Sequence, residues 1–146
     1  MPSSYDDRLE RFVVAQDDGS YAQALAELWA GRKRSHWMWF VFPQLAGLGR
    51  SSTAKFFALN NIAEARAYLA HPVLGPRLLA CTQAMLDLPD ADPVAVLGEI
   101  DAVKLRSCMT IFELADPSEP AFAAVLDKFY AGQRDPVTLR LLDISN

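Results

Sequence analysis

The stretch "IDAVKLRSCMTIFELA", residues Ile100 to Ala115, decides the fold class. At 100° per residue, Arg106, Thr110 and Glu113 gather on one narrow side, which we expect to face solvent. The rest of the helical surface is a broad apolar arc formed by Val103, Leu105, Cys108, Met109, Ile111, Phe112 and Leu114. This pattern predicts a long amphipathic helix that buries most of its surface.

Helix signals recur along the rest of the chain, and strand signals are weak. Asn61 followed by Glu64 is a capping-box pattern for a helix that ends near Ala70. Ser20 with Gln23 gives the same pattern earlier in the chain. The pairs Asp92-Pro93 and Asp135-Pro136 are each typical of an N-cap followed by proline at the first helical position. We therefore predict an all-α fold, a single domain over residues 1–146 with six to eight short helices.

The composition restricts the class of protein. Hydrophobic residues make up 51% of the 146 residues and charged residues 22%, as in ordinary globular proteins. A net charge of -4 argues against nucleic acid as a partner, and no apolar run reaches the length of a membrane span. The N-terminus lacks the pattern of a signal peptide, and two cysteines, Cys81 and Cys108, are too few for a disulfide framework. We therefore expect a cytoplasmic protein with two buried thiols.

Lys104 occupies an unusual position, near the middle of the apolar arc and one turn from Ser107. Burial of an isolated ammonium is costly, so the side chain needs a compensating environment. It can reach the surface along its aliphatic stem, or it can pair with Asp101 or Glu99. A third alternative is a polar cavity that also contains Ser107 and accepts an anionic ligand.

The segment "SHWMWFVFPQ", residues Ser35 to Gln44, has no solvent face under either a helical or a strand period. Such a segment is either central core or the wall of a pocket. In the second interpretation, Trp37 and Trp39 stack on a planar or cationic group. His36 then acts as a general acid or base, and the Gln44 amide orients the ligand.

The loop after this segment, "LAGLGRSSTAK", combines two glycines with a helix start. Ser51 or Ser52 can cap a helix that begins near Thr53. A glycine turn that enters a helix can present free N–H groups to a phosphate or carboxylate, to which Gly49 and Arg50 would contribute. The same pattern also occurs in routine helix capping, and both interpretations remain open at this stage.

The amino-acid sequence is similar to those of a bacterial family known as domain of unknown function 1810. The similarity lies in "GRKRSHWMWFVFPQLAGLGRSSTAKFFAL", "AEARAYLAHPVLGPRLLACTQAML", "VKLRSCMTIFELA" and "VLDKFYAGQRDPVTLRLL", which together cover nearly the whole chain. The resemblance implies a small, mainly helical domain. The strongest signatures of the family fall on His36, Trp37, Trp39, Phe42, Pro43, Gln44, Gly49, Lys104, Ser107 and Phe112.

One description used for such proteins and one further resemblance bear on function. Proteins of this kind carry the description calpastatin-like, but the hydrophobic content of this chain opposes it because such inhibitors are disordered and polar. The segment "HPVLGPRLLACTQAMLDL" is similar to a helix of the NADAR family of NAD- and ADP-ribose-linked glycosidases. That resemblance implies an N-glycosidic bond as the target.

These observations lead to two functional hypotheses, beside a third possibility in which the region is purely structural core, Lys104 is salt-bridged and no cavity exists. The first is a pocket for an anionic, nucleotide-derived or phosphorylated small molecule, with His36 and Lys104 as catalytic groups. The ligand-binding residues would be Trp37, Trp39, Gln44, Gly49, Arg50, Ser51 and Ser107. The alternative is a binding or protein-interaction module without chemistry, with the aromatic segment as its interface. No metal site and no cofactor are predicted, and we expect a monomer or a weak homodimer.

Overall fold

The computed structural model describes residues 4–143, with side chains from Arg8 onward. The ends of the predicted domain, residues 1–3 and 144–146, lie outside the described residues. The chain is 66% helical, so the predicted all-α class is confirmed. None of its helices is both long enough and apolar enough to cross a membrane, within the residues described.

Ten helices follow one another between residues 4 and 143, rather than the six to eight predicted. Their bounds are α1 Ser4–Asp17, α2 Ser20–Trp29, α3 Met38–Val41, α4 Ser52–Phe56, α5 Ile62–Ala70, α6 Leu74–Leu86, α7 Pro93–Leu97, α8 Glu99–Ala115, α9 Pro120–Tyr130 and α10 Pro136–Leu141. Capping residues indicated α4 and α7 in the sequence although each has only five residues, but nothing indicated α3, which has four. A helix of about one turn is too short to display a 3.6-residue period.

The long helix α8 lies at the centre of the packing, in contact with α5, α7, α9 and α10. Its side chains from Leu105 to Phe112 are buried except that of Arg106. Thr110, predicted to face solvent, is fully buried because α10 begins against it, and its Oγ1 accepts a hydrogen bond of 2.9 Å from the Asp135 N–H. At the other end of the helix, Val103 is exposed although it belongs to the predicted apolar arc.

Most of the predicted helix starts are confirmed. The side chains of Asn61, Asp92 and Asp135 accept hydrogen bonds from the first turns of α5, α7 and α10. The predicted cap at Ser20 is wrong: Gly19, at φ 102°, is the N-cap of α2, and Ser20 is its first helical residue. Glycine adopts this left-handed conformation without strain, so the helix begins one residue earlier than the serine pattern indicates.

The loop between α3 and α4 is fixed to the chain after α4 by a short parallel pairing of Leu45 with Leu59. The Leu59 N–H donates to the Gln44 carbonyl at 2.8 Å, and the Ala46 N–H donates to the Leu59 carbonyl at 2.7 Å. These bonds hold the backbone of Gln44 in one position. The Gln44 side chain therefore extends from a backbone whose position is fixed.

Candidate functional site

A cleft of about 430 Å³ lies where the α3–α4 region meets α8 and the start of α10. We call it the Lys104 cleft. Five predicted site residues line it: Trp39, Gln44, Gly49, Lys104 and Ser107. Its remaining lining residues are Leu48, Ile100, Val103, Asp135 and Val137. The volume lies within the range of small-molecule sites, and aliphatic walls with a few converging polar groups are typical of such sites.

Lys104 pairs with Asp101, which is one of the alternatives left open by its sequence position, and it also lines a cavity. Its Nζ lies 3.1 Å from Asp101 Oδ1, and it also lines the cleft, 3.8 Å from the centroid of the Trp39 ring. Lys33 Nζ lies 2.9 Å from the other oxygen of Asp101. Two ammonium groups therefore share a single carboxylate, so this cluster has a surplus of one positive charge.

Gln44 carries an unused hydrogen-bond donor. The residue is 8% exposed, and its Nε2 is buried without a hydrogen-bond partner among the described residues. A buried polar group left unpaired costs about 1–3 kcal/mol. Gln16, which is also buried, shows the ordinary situation: its Nε2 donates to the Phe40 carbonyl at 2.6 Å.

Ser107 and Asp135 form a buried polar part of the cleft wall. The Ser107 Oγ lies 3.1 Å from Asp135 Oδ2, and the Thr138 Oγ1 and N–H donate to the same oxygen at 2.6 and 2.9 Å. All of these bonds reach Oδ2, so Oδ1 takes part in none of them. Asp135 is 5% exposed and lines the cleft. The site thus contains a buried carboxylate as well as an ammonium.

Gly49 is required by a close approach of the chain to itself. A Cβ at this position would lie 2.4 Å from the Ala54 Cβ and 3.2 Å from Trp39 Cη2. The missing side chain lets the loop pack against the indole edge. Gly49 therefore contributes shape to the cleft, and its backbone is not in the left-handed region.

Four predicted site residues lie outside the lining of the cleft. His36 is exposed, and Arg50 is exposed. Ser51 is the N-cap of α4, its Oγ accepting from the Ala54 N–H at 3.1 Å. Since α4 has only five residues, it offers little dipole to an anion. The glycine loop is therefore a capping structure, and the structure does not bring His36 together with Lys104 in the cleft.

Trp37, the fourth of these residues, belongs to the core. It is 1% exposed, and its Nε1–H donates to Glu27 Oε1 at 2.9 Å. Glu27 also accepts from the backbone N–H groups of Arg34 and Ser35 and from the Ser35 hydroxyl. Burial alone would raise the pKa of Glu27, but these hydrogen bonds outweigh burial and lower the pKa to about 2. Glu27 therefore fixes the entry to the aromatic segment as a structural carboxylate.

Sequence reasoning missed two groups in this region. Asp135 was identified as a helix cap, but it lies 28 positions from Ser107, and no spacing rule joins the two. Nothing in the sequence pattern singles out Glu27. The sequence contains an indirect signal in each case, because buried tryptophan and serine side chains require hydrogen-bond acceptors.

A larger depression, of about 620 Å³, lies beside the ends of α8 and α9 and the chain that follows α9. Three of its charged side chains are bonded within the protein. Arg134 forms an ion pair with Glu113, and Arg106 donates to the carbonyls of Gln133 and Arg134. These groups connect the chain before α10 to α8.

Comparison with known proteins places this chain in a family. The sequence profile of a family described as "Protein of unknown function (DUF1810)" matches residues 6–142. The chain belongs to the DUF1810 family. The structure is also similar to the crystal structure of the conserved hypothetical protein Rv1873 from Mycobacterium tuberculosis, with a TM-score of 0.90 and 44% sequence identity. The similarity covers 94% of this chain and 97% of Rv1873. A comparison with curated proteins found no match.

Proposed function

We propose that this DUF1810 protein binds a small anionic organic molecule in the Lys104 cleft. The observation that carries the proposal is that Gln44 lines the cleft while its buried Nε2 has no hydrogen-bond partner among the described residues. A donor that no protein group satisfies in the described residues is explained if a ligand acceptor satisfies it. The cost of leaving it unpaired is then recovered when the ligand binds.

The charge distribution supports an anion at the Lys104 end. Lys104 and Lys33 both contact Asp101, so one of the two positive charges is not neutralised. Lys104 lines the cleft whereas Lys33 does not, so the ligand meets the ammonium of Lys104. A charge-assisted hydrogen bond to that ammonium would be among the strongest single contacts in the complex.

Binding without catalysis is the function supported best. His36, the predicted proton-transfer group, is exposed and does not line the cleft. The buried thiols supply no nucleophile, because desolvation raises the pKa of Cys81 to about 12 and that of Cys108 well above its ordinary value. The alternative use of the aromatic segment as an interface has little surface available, since Trp37, Met38, Val41 and Phe42 are buried.

A thermal-shift screen tests the proposal. Wild-type protein is heated with AMP, ADP-ribose, glucose 6-phosphate and phenylacetate, each alone. At a concentration ten times its Kd, a specific ligand stabilises the folded state by about 1.4 kcal/mol, a shift of a few degrees in Tm. We expect at least one anion to produce a shift that Lys104→Met and Gln44→Met abolish.

The matched control is Lys55→Met, which removes the same charge from an exposed position outside the cleft. This variant should retain the whole shift. A shift lost equally in Lys55→Met would indicate nonspecific charge effects and would contradict the proposal. A flat screen for every probe would contradict it as well.

A further inference from the structure

We infer that the ligand of the Lys104 cleft carries a single negative charge on a largely apolar body, as an aromatic or aliphatic carboxylate does, and is not a polyphosphate. This inference rests on the proposed function and narrows its ligand class. It depends on the charges of the cleft, on its aliphatic rim and on the position of the Trp39 ring.

The lining of the cleft carries one charge of each sign. Lys104 supplies an ammonium group and Asp135 supplies a carboxylate. Asp135 lies on the wall of the same 430 Å³ space as Lys104. A ligand with several negative charges would therefore meet the Asp135 carboxylate as well as the ammonium. Repulsion from that carboxylate would oppose the attraction to the ammonium.

A single anionic group avoids this conflict. It can contact Lys104 while the rest of the ligand, without charge, extends past Ser107 and Asp135. The Gln44 Nε2 donor suits one oxygen of a carboxylate or a carbonyl next to it. The number of cationic and donor groups matches one small anion, and polyphosphate sites usually provide more of them.

Exposed aliphatic side chains concentrate on the rim of the cleft. Ile100, Val103 and Val137 are 74%, 61% and 41% exposed, and all three line it. Covering apolar surface is favourable in proportion to the area removed from water, so an apolar ligand body gains binding free energy from this rim. A hydrated polyphosphate would gain nothing there. The rim therefore favours a hydrocarbon body.

The Trp39 ring supports Lys104 instead of stacking on a base. The ammonium lies 3.8 Å from the ring centroid, so that face of the indole is occupied. The opposite arrangement, a nucleobase on this face, would require Lys104 to leave both Trp39 and Asp101. The indole instead holds the cation at the site of the ligand anion.

Isothermal titration with four probes tests the inference. Phenylacetate, neutral phenylacetamide and doubly charged phenyl phosphate share the same ring, and ADP represents a polyphosphate. We expect phenylacetate to bind wild-type protein about tenfold more tightly than phenylacetamide, a difference of about 1.4 kcal/mol. Phenyl phosphate should bind more weakly than phenylacetate, and ADP should show no saturable heat.

Two variants identify the cause. Lys104→Met should remove the preference for phenylacetate over phenylacetamide. Asp135→Asn should improve the affinity for phenyl phosphate relative to phenylacetate about tenfold, because it removes the opposing charge. Asparagine is as good an N-cap as aspartate, so α10 should keep its start in this variant.

The outcomes separate this inference from the proposed function. Tighter binding of ADP or phenyl phosphate than of phenylacetate, lost in Lys104→Met, would overturn the inference and leave the proposed function intact. Equal affinity for phenylacetate and phenylacetamide would overturn the inference too. No binding of any probe up to about 10 mM, where even a millimolar site is mostly filled, would contradict both.

Discussion

The ammonium of Lys104 lies 3.8 Å from the centroid of the Trp39 ring while it pairs with Asp101 at 3.1 Å. The side chain of Lys104 is only 18% exposed, yet the ring, the carboxylate and the open cleft together stabilise its charge. This relationship brings the aromatic segment into contact with the lysine on the largely apolar helix α8. It also fixes the charge in one place before any ligand arrives.

The contact between Trp39 and Lys104 should be measurable as a coupling energy. In a double-mutant cycle of Trp39→Leu and Lys104→Met, we expect a coupling of about 0.5–2 kcal/mol in the free energy of unfolding, the range of cation–π contacts. Urea denaturation of the four proteins measures it. Additivity within about 0.3 kcal/mol would show that the contact contributes nothing to stability.

Gln44→Met should stabilise the free protein or leave it unchanged, because it replaces an unpaired buried donor with an apolar group of similar size. We expect a change in the free energy of unfolding of about 0 to 1 kcal/mol in the stabilising direction. The matched control is Gln16→Met, at a buried glutamine whose amide is bonded to Phe40 and Tyr68. That variant should be destabilised by about 1–3 kcal/mol. Equal losses in the two variants would mean that Gln44 is satisfied within the protein.

The contribution of Glu27 to the free energy of unfolding should depend on pH in the acidic range. Its folded-state pKa, about 2, is below the ordinary value of 4.5, so its contribution is fully present above pH 4.5 and is lost as the pH falls towards 2. Glu27→Gln should therefore be destabilised at pH 7 and should show a flatter dependence of Tm on pH between 4.5 and 2. Parallel pH profiles for the two proteins would contradict the assignment.

Gly49→Ala should disturb the cleft through packing. The added Cβ would lie 2.4 Å from the Ala54 Cβ, so the loop or α4 must move. We expect a loss of about 1–3 kcal/mol in the free energy of unfolding. The double variant Gly49→Ala with Ala54→Gly removes that contact and should regain part of the loss, despite the cost of glycine in α4. A neutral Gly49→Ala would show that the loop packs loosely.

The helical fold could be predicted because α5, α6 and α8 are long enough for their apolar period to be visible, and because Asn61, Asp92 and Asp135 act through local hydrogen bonds. Lys104 could be selected because a lysine in an apolar arc needs a partner. Short helices such as α3 show no apolar period in the sequence. Their existence depends on tertiary contacts that a single sequence does not display.

The different environments of the Trp37 and Trp39 side chains could not be predicted from their spacing. Both belong to one segment without a solvent face, but Trp37 turns inward to Glu27 and Trp39 turns to Lys104. The choice depends on the position of Glu27 on α2, a relationship between distant parts of the chain. The same applies to Asp135, whose cap was visible and whose contact with Ser107 was not.

The side-chain amide of Gln44 provides the most direct test of the central claim, that the cleft binds a ligand. A ¹⁵N-labelled sample is titrated with phenylacetate, and the NH₂ resonances are assigned by their absence in Gln44→Met. We predict a saturable shift of these resonances, with the Lys104→Met variant showing none. Gln44 resonances that stay in place while phenylacetate, ADP-ribose and phenyl phosphate are each raised to about 10 mM would contradict the claim.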